Sequence, residues 1–158
     1  MRNAIVLFLI CAAWPVLAVD RCVATSHGCL ALNPDVVAET IHATICKSGY
    51  TKQVRPATVY TNGVKRRLMR EQGISLDRAG EFELDHIVPL TLGGHPRQLS
   101  NLMLQEWEGP AGAKVKDKLE VRLHGLVCRG EMSLESAQQC IAEDWQRCLA
   151  EHPGRTTR

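Results

Sequence analysis

Two neighbouring residues near the middle of the chain carry the side chains best suited to chemistry, Asp85 and His86. They lie within Glu83-Leu84-Asp85-His86-Ile87-Val88-Pro89-Leu90-Thr91-Leu92-Gly93-Gly94. A histidine near its ordinary pKa of about 6.5 can take a proton from water at working pH, so His86 is a candidate general base. A carboxylate is a hard oxygen ligand of the kind Mg²⁺ prefers, so Asp85 is a candidate metal ligand. Asn101, which opens Asn101-Leu102-Met103-Leu104-Gln105, brings an amide that both donates and accepts. It either holds the loop between the two stretches or orients the imidazole. Hydrolysis of a phosphodiester needs an activated water, a charge clamp on the phosphate and help for the leaving oxygen. One divalent metal supplies the last two. Mg²⁺ is the first expectation, with Mn²⁺ and Zn²⁺ as alternatives. A histidine taken alone is more often a structural hydrogen-bonding residue. The company of Asp85, the Gly-Gly step and Asn101 turns the balance towards chemistry.

These residues need elements that hold them together. Phe82 to Val88 is rich in strand formers, and Pro89 then stops regular pairing. Gly93-Gly94 permits a sharp excursion, and Asn101 to Gln105 reads as a short return strand. Adjacent residues of a regular strand face opposite ways, so the strand must end or distort at Asp85-His86 if both serve one site. Val115, Leu119, Leu123 and Leu126 recur at helical spacing, which predicts an amphipathic helix from about Ala113 that ends before Gly130. Upstream, Asn33-Pro34-Asp35 reads as a helix start, and Val37, Ile41 and Ile45 extend that helix from Pro34 to Cys46. Asp20 to Leu32 reads as an irregular arm. A second helix is expected from Thr58 to Gln72, stopped by Gly73. Ser133 is a candidate cap for a last helix whose buried stripe is Leu134, Ala137, Ile141, Trp145 and Cys148. Pro153-Gly154 begins a basic tail. The expected fold is one α+β domain, mostly helical, with no repeat and no low-complexity stretch.

The N-terminus carries Arg2, an apolar run from Ala4 to Ala13, and Val16-Leu17-Ala18 as a small-residue cleavage site. That pattern describes a secretory signal peptide over residues 1–18, with the mature chain beginning near Val19. Its removal takes one positive charge, Arg2, from a formal net charge of +2. So mild a balance does not by itself announce a nucleic-acid partner. Lys52, Arg55, Lys65, Arg66, Arg67 and Arg70 are concentrated in one segment. They form either a solvated helix face or a surface that tracks phosphates. Of the seven cysteines, all but Cys11 survive leader removal: Cys22, Cys29, Cys46, Cys128, Cys140 and Cys148. An even set in an exported chain implies disulfides. On a regular last helix Cys140 and Cys148 stand about 12 Å apart at about 1.5 Å per residue, beyond a disulfide's reach. The expected pairing therefore sends them to Cys22 and Cys29, and joins Cys46 to Cys128. His27, His42, His95 and His152 read as structural or solvated. No serine-hydrolase elbow and no phosphate-cradling glycine loop is present.

Strand, loop, strand and helix, with Asp-His early and Asn later, resembles the ββα-metal (His-Me finger, HNH) nuclease fold. Ile45-Cys46-Lys47-Ser48-Gly49-Tyr50-Thr51, Val54-Arg55-Pro56, Tyr60-Thr61-Asn62, Glu83-Leu84-Asp85-His86, Pro89-Leu90, Leu92-Gly93-Gly94 and Asn101-Leu102 are similar to an exported bacterial HNH-type endonuclease family. Lys116-Asp117-x-Leu119-Glu120, Val127-Cys128, Ala137-Gln138 and Asp144-Trp145 continue the likeness, which runs from about Asn33 to Trp145. The resemblance implies a secreted or periplasmic metal-dependent endonuclease acting on nucleic acid, with Asp85 as metal ligand, His86 as general base and Asn101 as the structural amide. The family pattern also places an Asn or His at the start of the final helix of the motif, where it completes the metal site. Here that position is Gly112, which has no ligating side chain. Asp117 and His124, both on the following helix, are the candidate substitutes. The alternative is an exported binding module that keeps the scaffold with weakened or lost turnover.

Overall fold

The computed structural model describes residues 21–154. The expected leader over residues 1–18 lies outside the described residues. The chain opens on a hairpin, β1 (Cys22–Thr25) against β2 (Gly28–Ala31), where an irregular arm was expected. Gly28, at φ 121°, supplies the turn that most side chains resist. The Cys22–Cys29 disulfide ties the two strands. Val23 and Leu30 sit opposite each other and both enter the core.

The segment expected as a helix from Pro34 to Cys46 contains only a 3₁₀ turn at Ala38–Thr40, followed by hydrogen-bonded turns. Its polar side chains compete for the backbone that a helix would need. Asn33 Oδ1 accepts from the Asp35 amide at 3.0 Å, and Thr40 Oγ1 accepts from the Val37 amide at 2.9 Å. The Cys46 amide reaches back five residues to the Ile41 carbonyl. The segment still fills the core with Val36 and Ile45.

A short helix, α1 (Tyr50–Val54), precedes the extended Arg55. Helix α2 (Thr58–Glu71) follows the expected span. Strands β3 (Phe82–His86) and β4 (Leu102–Glu106) pair antiparallel, Asp85 opposite Met103 and His86 opposite Leu102. Regular pairing stops at His86, two residues earlier than expected. Helix α3 (Ala113–Cys128) packs on α4 (Leu134–Glu151). Ser133 caps α4 through the Ser136 amide. The core gathers Val36, Val88, Leu92, Leu119, Leu123, Val127, Ala137 and Ile141. Among the described residues the architecture is α+β, with two small sheets, helices and three disulfides.

Cys46 bonds Cys128 as expected. Cys140 and Cys148 bond each other, with Cα atoms 5.4 Å apart, and do not reach Cys22 and Cys29. The expectation failed because α4 is not regular. Asp144 has φ −158° and ψ 92°, and its Oδ1 accepts from the Arg147 amide at 3.0 Å. It therefore caps a second helical segment inside the first, and the break brings the two cysteines together. Among the described residues no helix is long and apolar enough to cross a membrane.

Candidate active site

The end of β3 is held from two sides. Asn101 is fully buried and makes a two-pronged clamp on Val88. Its Oδ1 accepts from the Val88 amide at 2.8 Å, while its Nδ2 donates to the Val88 carbonyl at 3.0 Å and to the His95 carbonyl at 3.2 Å. Of the two roles open to it, Asn101 takes loop-holding, and none of its bonds goes to the imidazole. Gly94 is obligatory beneath this clamp, because a Cβ there would come within 1.7 Å of the Val88 carbonyl oxygen.

From the other side comes Lys116 of α3, only 1% exposed. Its Nζ donates to Asp85 Oδ2 at 2.8 Å, to the His86 carbonyl at 2.8 Å and to Glu120 Oε1 at 2.6 Å. Burial opposes its charge, but Asp85 and Glu120 outweigh burial and hold its pKa above the usual lysine value. One ammonium cannot fully satisfy two buried carboxylates. Burial therefore still pushes Glu120 upward against the pull of Lys116. Asp85 Oδ1 accepts from the His86 amide at 2.7 Å, so each of its oxygens has a protein donor and keeps further lone pairs. Sequence reasoning passed over Lys116, although it falls on the apolar stripe of α3 three residues before Leu119 and seven before Leu123.

His86 is 7% exposed, and burial lowers its pKa against the opposing influence of the Pro96 carbonyl and Asp85. The imidazole is therefore neutral near pH 7. Its Nε2 lies 3.2 Å from the Pro96 carbonyl oxygen. A carbonyl can only accept, so Nε2 carries the proton and Nδ1 keeps the lone pair of a base.

Two adjoining cavities open on this dyad. One, of about 90 Å³, is lined by Arg55, Glu83, Asp85, His86, Thr91, Asp117 and Glu120. Glu83 there is pushed up to about 7 by burial and by the neighbouring charges of Asp85, Asp117 and Glu120. The other, of about 260 Å³, is lined by Arg55, Thr58, Thr61, Asn62, Lys65, Glu83, His86 and Trp107, among others. Thr58, Thr61, Asn62 and Lys65 share one face of α2 at helical spacing, a polar stripe that the basic residues masked in the sequence. A larger open groove of about 740 Å³ shares only Trp107 with these cavities and holds no histidine.

The sequence candidates divide accordingly. Asp85, His86, Arg55 and Asp117 meet at one place. His124 does not join them: its Nε2 lies 2.9 Å from the Ile45 carbonyl oxygen and 3.3 Å from Cys128 Sγ, beside the Cys46–Cys128 disulfide. Eight residues beyond Lys116 on a straight helix is about 12 Å away. Lys65 lines the larger cavity, but its ammonium is spent on the carbonyls of Ala79 and Phe82, at 2.6 and 2.7 Å. It is a half-buried brace rather than a phosphate contact. Arg67 pairs with Glu71 at 2.7 Å. Lys52, Arg66 and Arg70 are exposed and stand outside both cavities.

No family model, curated protein or solved structure matches the chain.

The residues present suit one kind of metal better than another. Among the described residues, groups of three His, Cys, Asp or Glu ligand atoms within 4.8 Å of one another occur at Cys46–His124–Cys128 and Cys140–Cys148–His152. The sulfurs of both are spent in disulfides. The Asp85 cleft instead offers hard oxygens, an acid pushed up by burial and by its neighbours' charge, and a buried Thr91 hydroxyl without a hydrogen-bond partner among the described residues. That donor set fits Mg²⁺, which keeps several waters and binds through one or two carboxylates together with substrate phosphate. It does not fit a closed Zn²⁺ site. Gly112 cannot contribute, and there is no room for a side chain in its place. A Cβ there would approach the Glu108 carbonyl oxygen to 2.5 Å and the Trp107 carbonyl oxygen to 2.7 Å.

Proposed function

We propose that this chain is an exported HNH-like endonuclease that hydrolyses phosphodiester bonds of nucleic acid. The observation that carries the reading is His86: a buried, neutral imidazole whose Nε2 is committed to the Pro96 carbonyl, beside Asp85 in a cleft that Arg55 also lines. His86 Nδ1 would take the proton of the attacking water. Arg55 would hold a phosphate oxygen through its guanidinium. Lys116 and Asn101 fix the dyad from opposite sides, so the base is oriented before substrate arrives. A hydrated Mg²⁺ held by Asp85, with Asp117 or Glu83 through water, would stabilise phosphate charge and the leaving oxygen. The strand pair β3–β4 leading into α3 supports the ββα core. The three disulfides support an oxidising compartment.

The test is nicking of plasmid DNA with Mg²⁺, Mn²⁺ or Zn²⁺, which His86→Ala should reduce by about 10²–10⁴-fold. Asp85→Ala should raise the metal concentration needed. A wild-type chain that cuts with no divalent metal would end the enzyme reading. Two observations favour a second reading, a binding module without turnover: Lys116 already pairs with Asp85, and Gly112 offers no ligand. In that case Mg²⁺, Mn²⁺ and Zn²⁺ would leave thermal stability unchanged, since a ligand specific to the native state must stabilise it.

A further inference from the structure

We infer that the larger cavity at His86 takes an unpaired nucleobase stacked on Trp107, which makes single-stranded nucleic acid the preferred substrate. The inference rests on the phosphodiester reading above and narrows its substrate class. The cavity, about 260 Å³, is lined by an indole, hydroxyls and an amide from one face of α2, a guanidinium, the imidazole and the Glu83 carboxyl that it shares with the smaller cavity. It has room for one base and its sugar, not for a paired and stacked step. Trp107 is half-buried, and among the described residues its indole N–H has no hydrogen-bond partner. The same holds for the side-chain donors of Asn62 and Arg55.

The distribution of charge separates base from phosphate. Arg55 lines both cavities, so a phosphate on its guanidinium lies at their junction. The acidic cavity, with Glu83, Asp85, Asp117 and Glu120, repels a second phosphate. The other cavity shares Glu83 but none of Asp85, Asp117 and Glu120; with Lys65 spent on carbonyls, it adds an aromatic ring, hydroxyls and an amide. The base attached to the held phosphate therefore belongs on the Trp107 side. A base can turn its face to the indole only when it has left its own stack, which costs least in a single strand. Stacking of this kind tolerates any base, because every base has a π-face.

The experiment measures binding by anisotropy of a fluorescein-labelled single-stranded DNA oligonucleotide and of its duplex. It is done in EDTA, with strand integrity checked on a gel. Wild type should bind the single strand at least about tenfold more tightly than the duplex. Trp107→Leu should weaken single-strand binding by about ten- to a hundredfold and leave duplex binding nearly unchanged, while Trp107→Phe keeps most of the preference. Among the described residues Arg55 is the cation of this cavity not already spent on protein oxygens, so one phosphate contact should give a salt slope of about 0.7 on the single strand. Should Trp107→Leu fail to fold, a Trp14→Phe/Trp145→Phe chain leaves Trp107 as the only indole. Its fluorescence must then be quenched by the single strand. Equal affinity for the two forms, unchanged binding in folded Trp107→Leu, or no quenching would overturn the inference. Cutting without strand preference sinks the inference alone. Single-strand preference without cutting under any divalent metal sinks the enzyme reading alone. No binding to either form sinks both.

Discussion

Lys116→Met is the most revealing single perturbation of the fold. The change removes three short hydrogen bonds at once and leaves Asp85 and Glu120, whose side chains are 13% and 16% exposed, without a counter-ion. Breaking a buried pair by deleting one partner typically costs about 3–5 kcal/mol, because the charge left behind keeps its desolvation penalty. Met restores most of the lysine's aliphatic bulk, so little of the loss is packing. Glu120, which burial already pushes upward, loses the ammonium that opposed that push and escapes part of the cost by binding a proton, so the variant holds more protons folded than unfolded. Its deficit should then be largest near pH 8 and shrink towards pH 5. Urea melts of both chains at the two pH values read this directly as a shift in midpoint at constant slope. Adding Asp85→Asn and Glu120→Gln to Lys116→Met should recover most of the loss, since uncharged neighbours carry a smaller burial penalty. A Lys116→Met deficit below about 1 kcal/mol, or one independent of pH, would refute the view that this ammonium holds β3 to α3.

Other outcomes follow from the same geometry. Glu83 has a folded pKa raised from 4.5 to about 7, so its contribution is present below its unfolded pKa and lost as pH rises through 7. Glu83→Gln should therefore melt higher than wild type at pH 8 and show little gain at pH 4. Because burial lowers the pKa of His86, the acid limb of the cleavage rate should fall below the ordinary histidine value of about 6.5; a limb above it would contradict a buried neutral base. Gly112→Asn should lower the melting temperature without improving metal use, at a cost of about 1–3 kcal/mol, since its Cβ meets backbone rather than a yielding side chain. Removing Cys46–Cys128, which spans 82 residues, should cost about 2 kcal/mol more than removing Cys140–Cys148, which spans 8, when Ala pairs are compared by denaturant melts.

The parts of the molecule legible in the sequence are those in which one periodicity ruled. Helices α2 and α3 follow the apolar spacing of Val64 and Leu68, and of Leu119 and Leu123. The Asp85-His86 strand end is announced by Pro89 and the glycines. The misreadings share one physical cause: side chains that make bonds usually left to backbone or water. Asn33 and Thr40 divert the amides of the segment expected to be helical, and Asp144 breaks α4 by capping from within it. Lys65 reads as part of a solvated face or a phosphate-tracking surface, and Lys116 draws no role of its own, because lysine is rarely buried, yet both ammonium groups end on protein oxygens. The reach of Asp117 into the Asp85 cleft, and the exclusion of His124 from it, depend on which face of α3 meets β3, and ligand chemistry alone does not encode that.

The Asn101 clamp has a consequence for the timescale on which this site can open. By offering one acceptor and one donor to the two polar groups of Val88, a single side chain does the work of a neighbouring strand. Val88 lies beyond the last ladder residue, yet its amide is sealed as firmly as those in β3. In hydrogen–deuterium exchange it should behave as a core position, releasing its proton only when the whole domain unfolds, while the amides of the exposed Leu99 and Ser100 exchange sooner. The segment that carries His86 thus lacks the low-energy breathing that loops usually possess. Any motion that admits a substrate must come from the opposite wall, from α2 and the turn at Trp107.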